Sequence, residues 1–413
     1  MRHIALTVGL LLSFGGADAQ VRGEPPRAAL VGGNTRFAFD LYDRLRSDAG
    51  NLFFSPYSIS VALAMTYAGA DGETARQMAE TLHLTVPRAE LHSALRRLDE
   101  DLKPRQGGEA ERDFQLSVAN ALWGQEGYVF LPAFTELLAE NYGAGLRRVD
   151  FADTQAARDT INAWVERATQ DKIQDLIPPG VLSAGTRLVL TNAIYFKAAW
   201  DFGFSHRETR PRPFHLVNGG LVEVLMMRRP EYETLYLRGN GYQAVSLPYR
   251  SYRFQMLVVV PDRDAFGTFE RTFDADELAR ISERLEFHPV TLELPKFTFE
   301  STFSLSETLR ELGMADAFVS PSCAGAGAEG AGADFSRMDG RRCLSVSAVL
   351  HKAFVAVDER GTEAAAATMV DIVESGSIKP PVHLRVDRPF LFLIRDTETG
   401  TLLFIGRVLD PLL

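Results

Sequence analysis

Val357–Lys379 reads VDERGTEAAAATMVDIVESGSIK, and it carries two incompatible messages. Glu363-Ala364-Ala365-Ala366-Ala367 taken alone prefers helix, because alanine has the best helix propensity. Gly361 stands before that run, however, and Met369–Val373 beyond it reads as strand. At period two, Thr362, Ala364, Ala366, Thr368, Val370 and Ile372 share one face, all small or apolar. Glu363, Ala365, Ala367, Met369, Asp371 and Val373 share the other, which takes both acids. One small, buried face and one wet face predict a strand. Glu374–Ser377 then makes a flexible polar tip, and Pro380-Pro381 a stiff exit. The segment is predicted to be a loop that can become a strand.

Working outward, six further strings follow in chain order. They are Asn51–Ile59 (NLFFSPYSI), Thr191–Lys197 (TNAIYFK) with Trp200, Leu294–Phe297 (LPKF), Asp334–Ser336 (DFS), His351–Ala353 (HKA) and Arg388–Phe392 (RPFLF). With these strings and VDERGTEAAAAT, the chain resembles the serpins, inhibitors that trap serine and cysteine proteases, over residues 35–413. The resemblance implies an α+β serpin fold: three β-sheets, eight or nine helices and an exposed reactive-centre loop at one pole. The residues support that class independently, since helical and strand-like segments do not alternate regularly as in a doubly wound sheet.

The N-terminus reads as an export signal. Met1-Arg2-His3 is a basic start, Ile4–Phe14 an apolar core, and Ala17-Asp18-Ala19 a small-residue cleavage pattern before Gln20. That core is too short to span a bilayer, which takes about 20 apolar residues. The expected organisation is a signal peptide at 1–19, a mobile polar lead-in at 20–33, and one domain over 34–413 with hinge and loop at 359–381. Localisation follows as secreted: extracellular, or periplasmic if the source is a Gram-negative bacterium.

The chain carries a formal net charge of −10 and a pI near 5.4. An acidic surface argues against nucleic acid or an anionic membrane as partner. Some serpins bind heparin through a basic helix. The matching region here, Leu91–Leu102, sets Arg96 and Arg97 against Asp99, Glu100 and Asp101, so heparin binding is disfavoured. Cys323 and Cys343 are an even pair in an exported chain, which permits a disulfide or two free thiols. Neither has metal-ligand spacing; no metal, no cofactor and a monomer are expected.

Catalytic strings are scarce. HExxH, GxSxG and Walker patterns are absent, and the literal GxGxxG at Gly325–Gly330 lies in an Ala/Gly loop without a leading strand or following helix. His351, set among Val349, Leu350, Phe354 and Val355, reads from the residues alone as a satisfied core histidine. By resemblance, Ser55, Ser58, Asn192 and His351 match the family's shutter, a polar cluster beneath the central sheet, and Trp200 matches the breach where loop insertion starts. The hinge maps by resemblance onto Glu359, Gly361, Thr362, Glu363, Ala364, Ala365, Ala366, Ala367 and Thr368. Its inward positions carry no bulky, charged or proline residue, which by the same resemblance favours an inhibitor over a carrier, storage or chaperone role; the absence of catalytic strings argues against an enzyme.

Counted as the resemblance implies, with Glu359 seventeenth before the cut, the scissile bond is Ser375–Gly376, with cleavage after Val373 or Glu374 as alternatives. Counting back from Pro389 points near Ile378 instead. A small primary residue implies an elastase- or subtilisin-like serine protease as partner, with cysteine proteases also open. A non-inhibitory binding or chaperone protein of the same fold is the alternative reading.

Overall fold

The computed structural model describes residues 26–103, 114–143, 145–250, 252–321, 323–325, 332–362 and 379–413. Its helices are α1 (Pro26–Leu45), α2 (Pro56–Tyr67), α3 (Gly72–Thr81), α4 (Arg88–Leu102) and α5 (Pro132–Tyr142). They continue with α6 (Thr154–Ala168), α7 (Phe266–Thr272), α8 (Ala275–Arg284), α9 (Ser306–Glu311) and α10 (Ser336–Asp339). The first strands are β1 (Leu52–Phe54), β2 (Gln115–Gln125), β3 (Arg147–Val149), β4 (Leu188–Ala199), β5 (Arg210–His215) and β6 (Leu221–Arg238). Then come β7 (Tyr242–Pro248), β8 (Phe254–Pro261), β9 (Glu286–Pro295), β10 (Phe297–Ser304), β11 (Ala324–Gly325) and β12 (Arg341–Arg342). The last are β13 (Ala348–Val357), β14 (Gly361–Thr362), β15 (Val382–Arg385), β16 (Phe390–Asp396) and β17 (Leu402–Val408).

Among the described residues the strands form three sheets, as expected. A six-stranded sheet runs β10-β13-β14-β4-β2-β3. A nine-stranded sheet runs β1-β17-β16-β8-β7-β6-β9-β15, with β5 attached to β6. The third is only the hairpin β11–β12. The nine-stranded sheet is continuous because β6, 18 residues long, pairs with β5 and β9 and then with β7, bending at a bulge between Arg229 and Tyr232.

Two helical expectations need correction. Ten α-helices lie among the described residues, where eight or nine were expected. The lead-in expected to be mobile over 20–33 is helical from Pro26 onward, and α1 buries Ala29, Leu30 and Gly33 before the predicted start at Asn34. A proline at the first helical position costs no hydrogen bond, and the apolar Ala29 and Leu30 extend the buried stripe. Residues 1–25, on which the predicted signal peptide falls, lie outside the described residues.

Among the described residues no helix is long and apolar enough to cross a membrane. α2 lies between the two large sheets, touching β2 and β4 on one side and β17 on the other. Ser55 caps it, its hydroxyl accepting from the Ser58 N–H at 3.1 Å, and Pro56 opens the first turn. On the opposite face of the six-stranded sheet, α6 and the segment after it pack Ile161, Val165 and Ile173 against Trp123, Val189 and Leu350. Covered on both faces, β4 is a nearly continuous apolar run without alternation.

Candidate functional site

The middle of the six-stranded sheet has one unusual join. β13 and β4 are parallel and paired directly from Ala348↔Val189 to Phe354↔Tyr195. Beyond Phe354 they part, and β14 occupies the gap, antiparallel to both. Thr362 faces Val357 on one side and Ala198 on the other, while Gly361 faces Ala199. The sheet is thus wedged open at one end by the first two residues of the predicted mobile strand. Gly361 is required there by close approach: a Cβ on it would lie 2.1 Å from the carbonyl oxygen of Ala198.

The wedge is held by the turn before it. Trp200 donates its indole N–H to the Asp358 carbonyl at 3.0 Å and its backbone N–H to the Arg360 carbonyl at 2.8 Å. The Phe204 N–H donates to the Glu359 carbonyl at 2.7 Å. Tyr249 stacks on Trp200 with ring centroids 4.6 Å apart, and its hydroxyl lies 2.8 Å from Thr362 Oγ1.

Glu359, only 3% exposed, accepts from Lys296 Nζ at 2.8 Å and Thr209 Oγ1 at 2.8 Å, and His206 Nδ1 lies 3.4 Å away. Burial pushes this carboxyl up, but the hydrogen bonds from Lys296 and Thr209 outweigh it and hold the group below the usual carboxylate range. Ion pair and stacked rings together fix the turn that leads into β14.

Below the wedge, one rung of the sheet is polar. Asn120 on β2, Asn192 on β4 and His351 on β13 are direct register partners. Their side chains meet Ser55 and Ser58 at the start of α2. The donors dictate a single arrangement. The Ser55 N–H can only donate, at 3.2 Å, so His351 Nε2 is the acceptor. His351 Nδ1 therefore carries the proton and donates to Asn192 Oδ1. The Asn192 amide then donates to Ser58 Oγ and Asn120 Oδ1, and Asn120 Nδ2 donates to the Ser58 carbonyl at 3.1 Å. Burial drops the His351 pKa to about 3 against this hydrogen bonding with Asn192, which raises it.

A second proton on His351 would set N–H against N–H at Ser55. The unfolded imidazole titrates near 6.5 and the folded one near 3, so between those values the unfolded chain binds the extra proton. Stability from this group is complete above pH 6.5 and falls as the solution is acidified toward pH 3, by about 1.4 kcal/mol per pH unit at most. His92, bonded to the Tyr142 hydroxyl and lowered to about 4 by burial and by Arg88, acts in the same direction. His351→Asn is therefore expected to flatten the fall in melting temperature between pH 7 and pH 4 relative to the parent chain. An unchanged slope would show that the buried rung is not what acid attacks.

The structure brings together Ser55, Ser58, Asn192 and His351, and it places Trp200, Glu359, Gly361 and Thr362 around the wedge. Glu363, Ala364, Ala365, Ala366, Ala367, Thr368, Val373, Glu374, Ser375 and Gly376 lie outside the described residues. Cys323 and Cys343 are free thiols, so the disulfide left open by the sequence is not formed here. Sequence reasoning missed Asn120, Thr209, Tyr249 and the role of Lys296. Asn120 had a usable signal, a lone amide between Ala119 and Ala121 in an apolar strand; Tyr249 had none.

The serpin (serine protease inhibitor) family profile matches residues 32–411. This chain belongs to the serpin family. An uncharacterized serpin-like protein of Thermococcus kodakarensis is 38% identical over 91% of this chain and 84% of its own length. Human leukocyte elastase inhibitor is 36% identical over 92% of this chain and 99% of its own length. Among solved structures, Serpin48 of the insect Tenebrio molitor superposes with a TM-score of 0.80 at 28% identity, covering 96% of this chain and all of that one. These matches support a serpin with protease-inhibitor function and give the wedge and the polar rung a common setting.

Proposed function

We propose that this serpin is a secreted suicide inhibitor of serine proteases, with elastase- or subtilisin-like enzymes favoured as targets and cysteine proteases also accessible. The observation that carries the reading is β14, antiparallel to both β13 and β4 at the end of a parallel pair. Continuing its register rung by rung sets Ala364 against Val355 and Phe196, and Ala366 against Ala353 and Ile194. Thr368 then arrives opposite His351 on one side and Asn192 on the other, at the polar rung. Its hydroxyl, both donor and acceptor, would replace the bond these two side chains now make to each other.

A serine protease attacks the Ser375 carbonyl, releases the new amine end at Gly376, and holds the upstream chain as an ester. Freed at one end, the arm inserts and drags the ester-bound enzyme with it before water can cleave the ester. The catalytic groups belong to the target; this chain supplies bait and spring. The signal-like residues 1–19 support export, and the name of the human relative supports an elastase-type target.

Mixing the protein with elastase or subtilisin and running a denaturing gel tests this. A covalent higher band is expected. A cleaved chain with no complex would point instead to a non-inhibitory binding or chaperone serpin, and ester hydrolysis by the protein alone would point to an enzyme.

A further inference from the structure

The two cysteines flank the short β11–β12 ladder, Cys323 just before the first strand and Cys343 just after the second. Ala324 pairs with Arg342 and Gly325 with Arg341, antiparallel, and carrying that register one rung outward would set Cys323 across from Cys343. Cross-strand partners in an antiparallel pair bring their Cβ atoms to about 4.5–5.5 Å, close to the range a disulfide spans. Cys323 also has a left-handed backbone (φ 52°), a costly conformation for a residue with a side chain.

The β12 strand is anchored from several sides. The Arg341 N–H donates to Asp339 Oδ1 at 2.7 Å, and Asp339 accepts from the Tyr128 hydroxyl at 2.5 Å. Arg342 Nη2 donates to the Gly332 carbonyl at 3.2 Å, and its Nε lies 3.4 Å from Asp334. The pair therefore sits on a fixed strand at the foot of β13.

We propose that Cys323 and Cys343 are a redox modification site: a preset dithiol that an exported thiol–disulfide oxidant closes into an intrachain disulfide. Cys323 is exposed and Cys343 half-buried, so the oxidant meets Cys323 first. The Cys323 sulfur attacks the oxidant's disulfide, loses its proton to water and expels one thiol, leaving a mixed disulfide. The Cys343 sulfur then attacks the Cys323 sulfur, releases its proton and expels the second thiol. Two protein thiols and one oxidant disulfide become one protein disulfide and two oxidant thiols.

The resting pair is slow to react by itself. The hydrogen bond with Cys323, then partial burial, push the Cys343 thiol up to about 11, so little thiolate is present at neutral pH. Closure bolts together the ends of the 324–342 segment and raises stability by restricting the unfolded chain. The proposal does not depend on how the reactive loop behaves.

The test takes the full chain, reduces it, removes the reductant and incubates it with oxidised glutathione. Both thiols should disappear from a thiol titration, the intact mass should fall by two hydrogens, and a Cys323–Cys343 linked peptide should appear. The oxidised monomer should melt about 2–5 °C higher than the reduced one. Cys343→Ser should instead retain one glutathione on Cys323, and the doubly substituted serine variant should show no oxidant-dependent shift. Persistent thiols, or linkage between two chains, would overturn the site; a bond formed without a change in melting would overturn its stabilising role.

Discussion

Cutting the chain after Ser375 should raise its melting temperature by about 10 °C, even though one covalent bond is lost. In the uncut protein β13 and β4 meet through seven parallel register pairs, and among the described residues Gly361 and Thr362 alone lie between them. Insertion replaces one parallel ladder by two antiparallel ones, and antiparallel pairing is slightly stronger per residue. Roughly ten added backbone hydrogen bonds, at about 0.5–1.5 kcal/mol each, sum to about 10 kcal/mol. A chain of this length shifts by about 1 °C per kcal/mol, because unfolding entropy scales with residue number. That gain would rival the whole stability of an ordinary domain, and the uncut form would then be held by a barrier and not by equilibrium. The measurement is limited proteolysis, a mass spectrum to fix the cut, and calorimetry of the nicked and intact chains side by side. If the nicked chain melts at the same temperature or lower, the arm gains nothing by entering, and the inhibitor reading loses its driving force.

The fold class was legible because its decisive signals are local or ordered along the chain. Ser55 and Pro56 announce the start of α2, and the buried run Leu188–Ala199 announces a strand covered on both faces. What escaped were pairings between distant segments. Nothing in Leu221–Arg238 says that one strand will pair with β5, β9 and β7 in turn, since the bulge at Arg229/Tyr232 depends on partners in β9. The start of α1 escaped because Pro25 and Pro26 read as linker, whereas burial of Ala29 and Leu30 pays for the helix. At the site, single residues with unusual chemistry could be named, but the rung that joins them required register. Asn120 reaches Asn192 only because β2 runs antiparallel to β4 with those two residues opposed. Lys296 likewise stood in a quoted string, but its partner Glu359 is 63 residues away.

Thr362→Arg should turn the inhibitor into a substrate, with the largest effect expected of any single substitution here. Thr362 is 1% exposed, its hydroxyl meets Tyr249, and Val357 and Ala198 flank it as ladder partners. The chain cannot slide to make room, because Gly361 already sits against the Ala198 carbonyl. An arginine at this rung must either bury an unpaired guanidinium, costing about 3–5 kcal/mol, or keep β14 out of the sheet. In the uncut protein the second choice loses only a two-residue strand, so the variant should still fold. After cleavage it blocks the first step of insertion, slowing it by about 100-fold or more. Hydrolysis of the ester then wins the race, and the protease is released. The number of inhibitor molecules consumed per protease inactivated should rise more than tenfold over the parent, on the order the barrier predicts. Titration of elastase or subtilisin activity gives that ratio, and a denaturing gel should show cleaved chain replacing the covalent band. Thr362→Ser keeps the hydroxyl and the size, so it should inhibit as the parent does. An arginine variant with unchanged stoichiometry would mean that this side chain does not face the core during insertion, and the assignment of the small-residue face would have to be reversed.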